Sequence, residues 1–270
     1  MENLSWSKFP KVLVLTGYGI NCDEETKFAF EKAGAEADLV HINDLIESPK
    51  KLGNYQIVAF PGGFSYGDDT GSGNALAWKI KNNLGIERLT KHDRLVIGIC
   101  NGFQVLVNLG LLPALNRQYG QRQVALNHND SARYSDRWVD LEFNEKSLWT
   151  AGVGRISLPI AHGEGNFYAD KETLAEMNKR GLVAAKYIEG EICKYQNLPI
   201  NPNGSLENIA GITDETGQIF GLMPHPERAI SFTQLPNWTL LKEQYKRAGK
   251  RIPSEGPGIQ IFRNGVNYFK

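Results

Sequence analysis

The chain has 270 residues, and its 30 basic and 30 acidic side chains give a formal net charge of zero at pH 7. This balance, without a long run of one sign, gives no reason to expect a nucleic-acid partner or an acidic membrane surface. The apolar runs are far shorter than the ~18 residues of a membrane span, and the N-terminal run is too short for a signal peptide, so we expect a cytoplasmic protein.

The first hundred residues alternate between predicted strands and helices. Strands are predicted over Lys11–Thr16, 56–60 and Leu95–Ile99, and helices around 24–33 and 74–83. This β-α-β-α-β order is typical of a parallel sheet covered by helices. Two glycine-rich segments, TGYGINCD and FPGGFSYGDD, follow strand ends, where such sheets carry their chemistry. Neither segment matches a dinucleotide-binding pattern or a P-loop.

The segment RLVIGICNGFQVLVNLG places a cysteine between a buried strand and a helix. Gly98 and Gly102 lie two residues before and after Cys100. In a nucleophile elbow both of these positions must be small, because neighbouring backbone passes very close. A helix N-terminus beneath the thiol favours the thiolate. The pattern makes Cys100 a candidate nucleophile, and a packed cysteine beside a tight turn remains the alternative.

From about residue 122 the pattern changes to shorter strands and turns. The strand-like segments are QVALNH, RWVDLEF, RISLPIAHGEG and LVAAKYIEG, with one helix near 171–179 and two strands around a D-E-T-G turn. We therefore predict an α/β fold with a mostly parallel central sheet covered by helices and additional mixed or antiparallel strands. The prediction is a single domain, 1–270, with a core over about 11–230 and an ordered C-terminal extension over about 231–270.

A base for the thiol is expected in the late segment MPHPER. His225 is bracketed by Pro224 and Pro226, which fix the backbone on both sides and so favour a rigid loop. A general base needs such rigid placement, and Glu227 can orient the second ring nitrogen. His162, beside glycines in AHGEGNF, is a candidate pocket residue.

The remaining cysteines and histidines are weaker candidates. Cys22 is the rival nucleophile near the first predicted helix, but it lacks paired glycines and its neighbours also suit a helix cap. Cys193 is expected to be a packing residue. Surface or loop positions are expected for His41, His92 and His128. Three widely spaced cysteines and scattered histidines predict neither a disulfide framework nor a metal site.

An oxyanion hole requires two amides that point towards developing negative charge. Asn101, directly after the candidate nucleophile, supplies one amide by the geometry of an elbow. The loop 61–63 is the expected source of the second, because Gly62 and Gly63 let the backbone approach a substrate.

Three segments in this order, FPGGFSYGDD, GICNGFQ and MPHPER, resemble the class I (triad) glutamine amidotransferases, a family with a flavodoxin-like fold. GINCDEET, PIAHGEG and GLMPHPERA are similar, more specifically, to the glutaminase subunits of phosphoribosylformylglycinamidine synthases, which act in purine biosynthesis. The resemblance spans residues 11 to about 230. It implies a Cys100 nucleophile, a His225 base oriented by Glu227, oxyanion amides at Gly63 and Asn101, and a glutamine contact at Gln104.

The resemblance also implies thioester hydrolysis of L-glutamine without a metal or organic cofactor in this chain. ATP and Mg²⁺ are expected on a partner synthetase subunit, which works with a small bridging subunit. The chain departs from many relatives at 69–73, where an aromatic-Leu-Arg segment is common, and at Asn166, where a basic residue is common.

Two other functions remain open at this point. A free-standing cysteine hydrolase, peptidase-like or a γ-glutamyl hydrolase relative, would share the nucleophile and base; the His-Pro-Glu carboxylate together with NGFQ favours glutamine instead. A binding or regulatory subunit without activity would not need all three triad residues, and all three are present.

Overall fold

A nine-stranded sheet organises the computed structural model, which describes residues 9–68 and 70–270. The N-terminal eight residues, part of the segment considered above as a signal peptide, and Asp69 lie outside the described residues. In chain order the first elements are β1 (Lys11–Thr16), α1 (Asp23–Ala33), β2 (Glu36–His41), α2 (Ile42–Glu47), β3 (Ile57–Phe60), α3 (Asn74–Asn83), β4 (Leu95–Ile99) and α4 (Asn101–Asn108).

The second half of the chain contributes most of the antiparallel structure. Its elements are β5 (Ala125–His128), β6 (Ser135–Phe143), β7 (Arg155–His162), β8 (Glu164–Tyr168), α5 (Lys171–Arg180), β9 (Val183–Ile188), α6 (Glu191–Gln196), β10 (Ile209–Thr213), β11 (Ile219–Leu222), α7 (Trp238–Arg247) and α8 (Ile259–Asn267). Short 3₁₀ turns connect several of them, among them Pro226–Arg228 directly after His225.

The strand order in the large sheet is β2-β1-β3-β4-β11-β10-β9-β6-β7, and β5 pairs with β8 separately. Strands β2, β1, β3, β4 and β11 run parallel, whereas β10, β9, β6 and β7 continue the sheet with antiparallel pairs. The predicted α/β class, with a parallel core and added antiparallel strands, is confirmed.

Strand β2 and helix α6 are among the elements that were not predicted from the sequence. Strand β2 extends the parallel part beyond β1, and its burial pattern shows only Ala37 fully buried. An edge strand with one solvent-facing side carries too little apolar signal to be recognised from periodicity. Helix α6 is one and a half turns long, which is also too short for a clear helical period.

The central strands approach one another and α4 very closely at the end of β4. All five residues of β4 are buried between β3 and β11. A Cβ at Gly102 would lie 1.8 Å from the carbonyl oxygen of Phe60, and one at Gly98 would lie 2.6 Å from the carbonyl oxygen of Gly102. Both glycines are therefore required for α4 to start directly above the sheet.

The C-terminal extension divides into an exposed and a buried part. Helix α7 has no buried residue, whereas α8 packs against α1, with the Phe262 and Phe30 rings edge to face at 4.9 Å. A Cβ at Gly265 would lie 2.4 Å from the Trp149 ring, so α8 also contacts the loop after β6. Within the described residues, no helix is long and apolar enough to cross a membrane.

Candidate active site

Cys100 lies at the tight corner between β4 and α4, with φ of +52°. This left-handed conformation is costly for a residue with a Cβ, and the surrounding sheet must hold it in place. The Cys100 amide donates to the carbonyl oxygen of Leu222 on β11 at 2.8 Å. The thiol is almost buried, and its sulfur lies 3.6 Å from the carbonyl oxygen of Ala161 on β7. The strained corner is the geometry of a nucleophile elbow.

His225 and Glu227 form a buried pair in the loop that follows β11. The His225 amide donates to the carbonyl oxygen of Pro159 at 2.8 Å, which fixes the loop to β7. His225 Nδ1 lies 2.5 Å from Glu227 Oε1, and both side chains are fully buried. The other ring nitrogen, Nε2, is buried and makes no hydrogen bond to the residues that the structure describes. The carboxylate therefore fixes the ring and leaves Nε2 for other chemistry.

The charge state of His225 follows from its neighbours. Burial disfavours the imidazolium, but the Glu227 carboxylate, with further contributions from Cys100 and Cys22, raises the pKa of His225 well above its ordinary value. A histidine held in this way can donate a proton from Nε2 to a departing group and then recover it from water.

The loop after β3 brings these side chains together because Gly62 has no side chain. A Cβ at Gly62 would lie 2.8 Å from His225 Cε1, 3.1 Å from Cys22 Sγ and 3.4 Å from Cys100 Cβ. The adjacent Gly63 has φ of +145°, and a Cβ there would lie 2.6 Å from the carbonyl oxygen of Gly19. The loop thus places glycine backbone beside Cys100. The role of the Gly63 amide in an oxyanion hole stays a prediction.

Asn101 and Gln104, in the first turn of α4, lie in a buried network of hydrogen bonds. The Asn101 amide group accepts from the Ser65 amide at 3.3 Å and donates to Gln104 Oε1 at 3.0 Å. Gln104 Nε2 donates to the carbonyl oxygen of Glu164 at 2.5 Å. The network joins the helix to the loop after β3 and to β8, while the contact of Gln104 with glutamine stays a prediction.

His162 lies beside the site in a buried position. Its Nδ1 is 3.1 Å from Asn129 Oδ1, and a Cβ at Gly165 would lie 2.6 Å from its Cε1. Burial, reinforced by the charge on His225, lowers the pKa of His162 to about 3. The ring is therefore neutral at physiological pH, and its substrate contact stays a prediction.

The structure places two further residues at the site: Cys22, which the sequence ranked as the weaker nucleophile, and Arg228, which the sequence did not indicate. Cys22 is buried and its Sγ lies 2.9 Å from Nη2 of Arg228. The Nε of Arg228 lies 3.7 Å from Glu25 and 3.9 Å from Glu227. The position of Cys22 in the loop that follows the first parallel strand was the available signal, because the loops after such strands meet at one edge of a sheet.

Ligand atoms of Cys22, His225 and Glu227 lie within 4.8 Å of one another, which is close enough for a metal ion. The donors already have other partners, however. The Arg228 guanidinium donates to the sulfur, and His225 Nδ1 is bonded to the Glu227 carboxylate. A bound cation would have to displace the guanidinium, so the arrangement fits an ion-pair network better than a metal centre.

The remaining cysteine and two of the other histidines lie outside the site. Cys193 is buried on α6, and its amide donates to Asp140 at 2.8 Å, as expected for a packing residue. His128 is 81% exposed, and His41 is half-buried at the end of β2, where its Nδ1 accepts from the Asn43 amide in the first turn of α2.

Comparison with known proteins gives consistent matches along the whole chain. Residues 9–269 match the model of the CobB/CobQ-like glutamine amidotransferase domain. A "Phosphoribosylformylglycinamidine synthase subunit PurQ" of Methanococcus maripaludis is 51% identical over 265 residues, covering 96% of this chain and 97% of that protein. The protein of the same name from Dehalococcoides mccartyi is 42% identical, with 96% and 97% covered.

Solved structures give the same result for the fold. A chain of the structure of PurLQS from Thermotoga maritima superposes with a TM-score of 0.70 at 31% identity, covering 97% of this chain and all of that one. A glutamine amidotransferase from the same organism superposes with a TM-score of 0.52 at 15% identity, over 97% of this chain and 98% of that one. The second match supports the fold alone.

Proposed function

Because the chain belongs to the CobB/CobQ-like glutamine amidotransferase family, we propose that Cys100, His225 and Glu227 are the triad with which it cleaves glutamine. The chain is an enzyme, the glutaminase subunit of a phosphoribosylformylglycinamidine synthase. It hydrolyses L-glutamine to L-glutamate and ammonia. Its partner synthetase subunit uses the ammonia to convert formylglycinamide ribonucleotide to formylglycinamidine ribonucleotide in purine biosynthesis.

The single observation that carries the triad is the convergence on Gly62. The imidazole of His225 and the Cβ of Cys100 both lie within 3.4 Å of the position that a Cβ at Gly62 would occupy. The buried carboxylate of Glu227 holds the far side of the ring at 2.5 Å. The nucleophile, the base and the group that orients the base are thus brought close together, as acyl transfer requires.

The reaction proceeds in two acyl-transfer steps. The Cys100 thiol gives its proton to His225 Nε2 as its sulfur attacks the side-chain amide carbon of glutamine, and the carbonyl oxygen becomes an oxyanion near the amides of Asn101 and Gly63. The C–N bond then breaks, His225 Nε2 gives its proton to the departing ammonia, and a glutamyl thioester remains. His225 next takes a proton from water, the resulting hydroxide attacks the thioester, and glutamate leaves as the thiol is restored. Glu227 stabilises each imidazolium.

This half-reaction needs no cofactor in the chain itself. Attack, protonation and hydrolysis are all performed by side chains and backbone amides. ATP and Mg²⁺ belong to the synthetase subunit, where the acceptor is activated, and a small bridging subunit completes the complex. The site of action is the cytoplasm.

Docking to the synthetase switches the glutaminase on. Free hydrolysis would waste glutamine, so the two sites must be coupled through a conformational difference between the free and docked chain. The Gly63 amide is the element that can adjust, because its φ of +145° is accessible only to glycine at low cost. A misaligned oxyanion amide lowers turnover by about a hundredfold or more.

Glutamate release tests the proposal. It should be slow for the isolated chain and rise about a hundredfold or more when synthetase, bridging subunit, acceptor and ATP with Mg²⁺ are added. Full turnover without partners would contradict the coupling and favour a free-standing hydrolase. No glutamate release in the complete complex would contradict the glutaminase function itself.

A further inference from the structure

The C-terminal segment 254–258, which leads into α8, lies against the loop 225–229 that carries the proposed base and its orienting carboxylate. The Gly258 amide donates a hydrogen bond to the carbonyl oxygen of Ala229 at 2.9 Å. Ala229 is fully buried and follows Glu227 by two residues. The chain between the two segments contains α7, so their contact is a tertiary one and not a local turn.

Two glycines allow the segment to approach the loop this closely. A Cβ at Gly258 would lie 2.1 Å from the carbonyl oxygen of Pro226. A Cβ at Gly256 would lie 2.3 Å from the carbonyl oxygen of Ala229. Gly258 has φ of −65° and ψ of −23°, a conformation that alanine adopts readily. The local backbone therefore does not require glycine at position 258, whereas the closeness of the loop does.

The contact continues beyond the loop and is fixed by an ion pair. The Phe232 amide donates to the carbonyl oxygen of Ser254 at 3.3 Å. Ser231 pairs with Glu255 in an antiparallel bridge. Both oxygens of the Glu255 carboxylate bind the Arg263 guanidinium on α8, one of them at 2.7 Å. The segment is thus attached to α8 on one side and to the chain that follows the loop on the other.

Helix α8 is itself firmly seated. Its Phe262 and Val266 side chains are fully buried, and the helix packs against α1. The side-chain amide of Asn264 donates to the carbonyl oxygens of Trp149 at 2.9 Å and Ala151 at 2.8 Å. Buried side chains and bonded backbone on two sides leave α8 little freedom to shift.

Helix α1, against which α8 packs, also reaches the loop. It begins directly after Cys22, whose sulfur accepts from the Arg228 guanidinium at 2.9 Å. Glu25, in its first turn, lies 3.7 Å from Arg228 Nε. Lys32, in its last turn, donates to the carbonyl oxygen of Ile230 at 3.1 Å. The loop and the residue after it are therefore held by two helices that also hold each other.

We propose that the segment 254–258 and α8 position the catalytic loop, so that the His225 ring stays bonded to Glu227 and close to Cys100. The segment acts through the loop backbone, and its members are positioning residues. A displacement of about 1 Å at a catalytic group lowers a rate by as much as about a hundredfold, so a firm backing for the loop matters to turnover. The inference rests on the proposed glutaminase function and gives the C-terminal extension a role in it.

Gly258→Ala tests the contact in the complete complex. Alanine fits the local backbone, but its Cβ and the Pro226 carbonyl oxygen must separate by about 1 Å to reach ordinary contact. We expect kcat to fall roughly 10- to 100-fold while the KM for glutamine changes less than about threefold, because the displaced loop carries the base. Gly53→Ala, at a glycine without close neighbours among the described residues, is the matched control. A kcat equal to that of the control would overturn the proposal.

The titration of His225 separates positioning from general destabilisation. In the isolated chain, labelled at histidine and followed by NMR, the pKa of His225 should be lower in Gly258→Ala than in the wild type. The reason is that the displaced ring loses part of the pairing with Glu227 and Cys100 that raises this pKa. His225→Asn identifies the signal. A lower kcat with an unchanged His225 pKa would overturn the positioning role.

A second variant decides the question if Gly258→Ala does not fold. Glu255→Gln removes the ion pair with Arg263 without adding bulk, so it should loosen the segment and lower kcat. Glu243→Gln, which removes the exposed ion pair with Arg247 on α7, is its matched control. Equal kcat values in these two variants would overturn the proposal. If the wild-type complex released no glutamate, the glutaminase function would fail instead.

Discussion

The corner around Cys100 and the loop around Cys22 place two buried thiols beside the same imidazole and the same glycine, Gly62. Their backbones differ. Cys100 has φ of +52° at a strand-to-helix corner, whereas Cys22 has an ordinary φ of −109° before α1. Both thiols therefore lie near the base, but only Cys100 has the strained backbone conformation. Backbone conformation, more than distance to His225, therefore favours Cys100 as the attacking thiol.

The partners of the two sulfurs differ as well. Cys22 Sγ accepts from Arg228 at 2.9 Å and donates to Asn21 at 3.4 Å. Burial raises the pKa of the Cys22 thiol above its ordinary value, although His225 and Arg228 act in the opposite direction. A protonated sulfur that already has two partners is a poor nucleophile. Cys22 therefore anchors Arg228, and through it the neighbourhood of Glu227.

The largest expected effect separates the two thiols directly. Cys100→Ala should lower glutamate production in the complete complex by at least about 10⁴-fold, because no other group can form the thioester. Cys193→Ala is the matched control, since that thiol is buried far along the chain on α6. Substantial turnover in Cys100→Ala would mean that Cys22 can replace it.

Loss of the Glu227 carboxylate, which is bonded to the His225 ring, should have the next largest effect on turnover. Glu227→Gln keeps the shape of the side chain but removes the charge that favours imidazolium, so we expect kcat to fall by about 10²- to 10⁴-fold. Thermal unfolding should remain cooperative, and Cys100 should still be labelled by an alkylating reagent. Unchanged turnover would indicate a Cys-His dyad or another carboxylate.

The corner itself can be tested without touching either thiol. A Cβ at Gly102 would overlap the carbonyl oxygen of Phe60, so Gly102→Ala should destabilise the protein by at least about 3 kcal/mol and abolish activity. At Gly53 no atom of the residues that the structure describes lies within 4 Å of an added Cβ, which makes Gly53→Ala the matched control. Thermal unfolding measures both variants, and equal melting temperatures would show that the corner tolerates a side chain.

The pH dependence of stability distinguishes His162, the second buried histidine, from His225, which lies beside both thiols. The folded-state pKa of His162 is lowered to about 3. As pH falls from about 6.5 towards 3, the unfolded state therefore binds a proton that the folded state cannot, and stability should decrease. His162→Asn should flatten this part of the stability profile, measured by denaturant unfolding at several pH values. A slope equal to that of the wild type would exclude the buried neutral histidine as its cause.

The smallest effect is expected at Cys22. Cys22→Ala removes a contact of Arg228 but no reacting atom, so glutamate production should stay within a few-fold of the wild type. Steady-state kinetics of the complete complex measures it. A loss comparable to that of Cys100→Ala would mean that the two thiols act together.

The sequence is most informative where geometry imposes a residue type. The paired glycines around Cys100 and the His-Pro-Glu segment predict the corner and the buried pair from residue type and spacing, because a crowded corner accepts only small residues and proline restricts the backbone. Strand β2 and the burial of α8 could not be predicted, since edge pairing and packing on α1 depend on distant segments. The position of Cys22 beside His225, and the contact of the C-terminal segment with the His225 loop, arise only from the tertiary fold.

The most direct test of the central claim is to locate the covalent glutamyl intermediate. The complete complex is mixed with radiolabelled L-glutamine, quenched in acid within one turnover, digested, and its peptides are mapped by mass spectrometry. We expect the label on the peptide containing Cys100, as an acid-stable thioester, and an unmodified Cys22. Label on the Cys22 peptide, with Cys100 free, would contradict this claim.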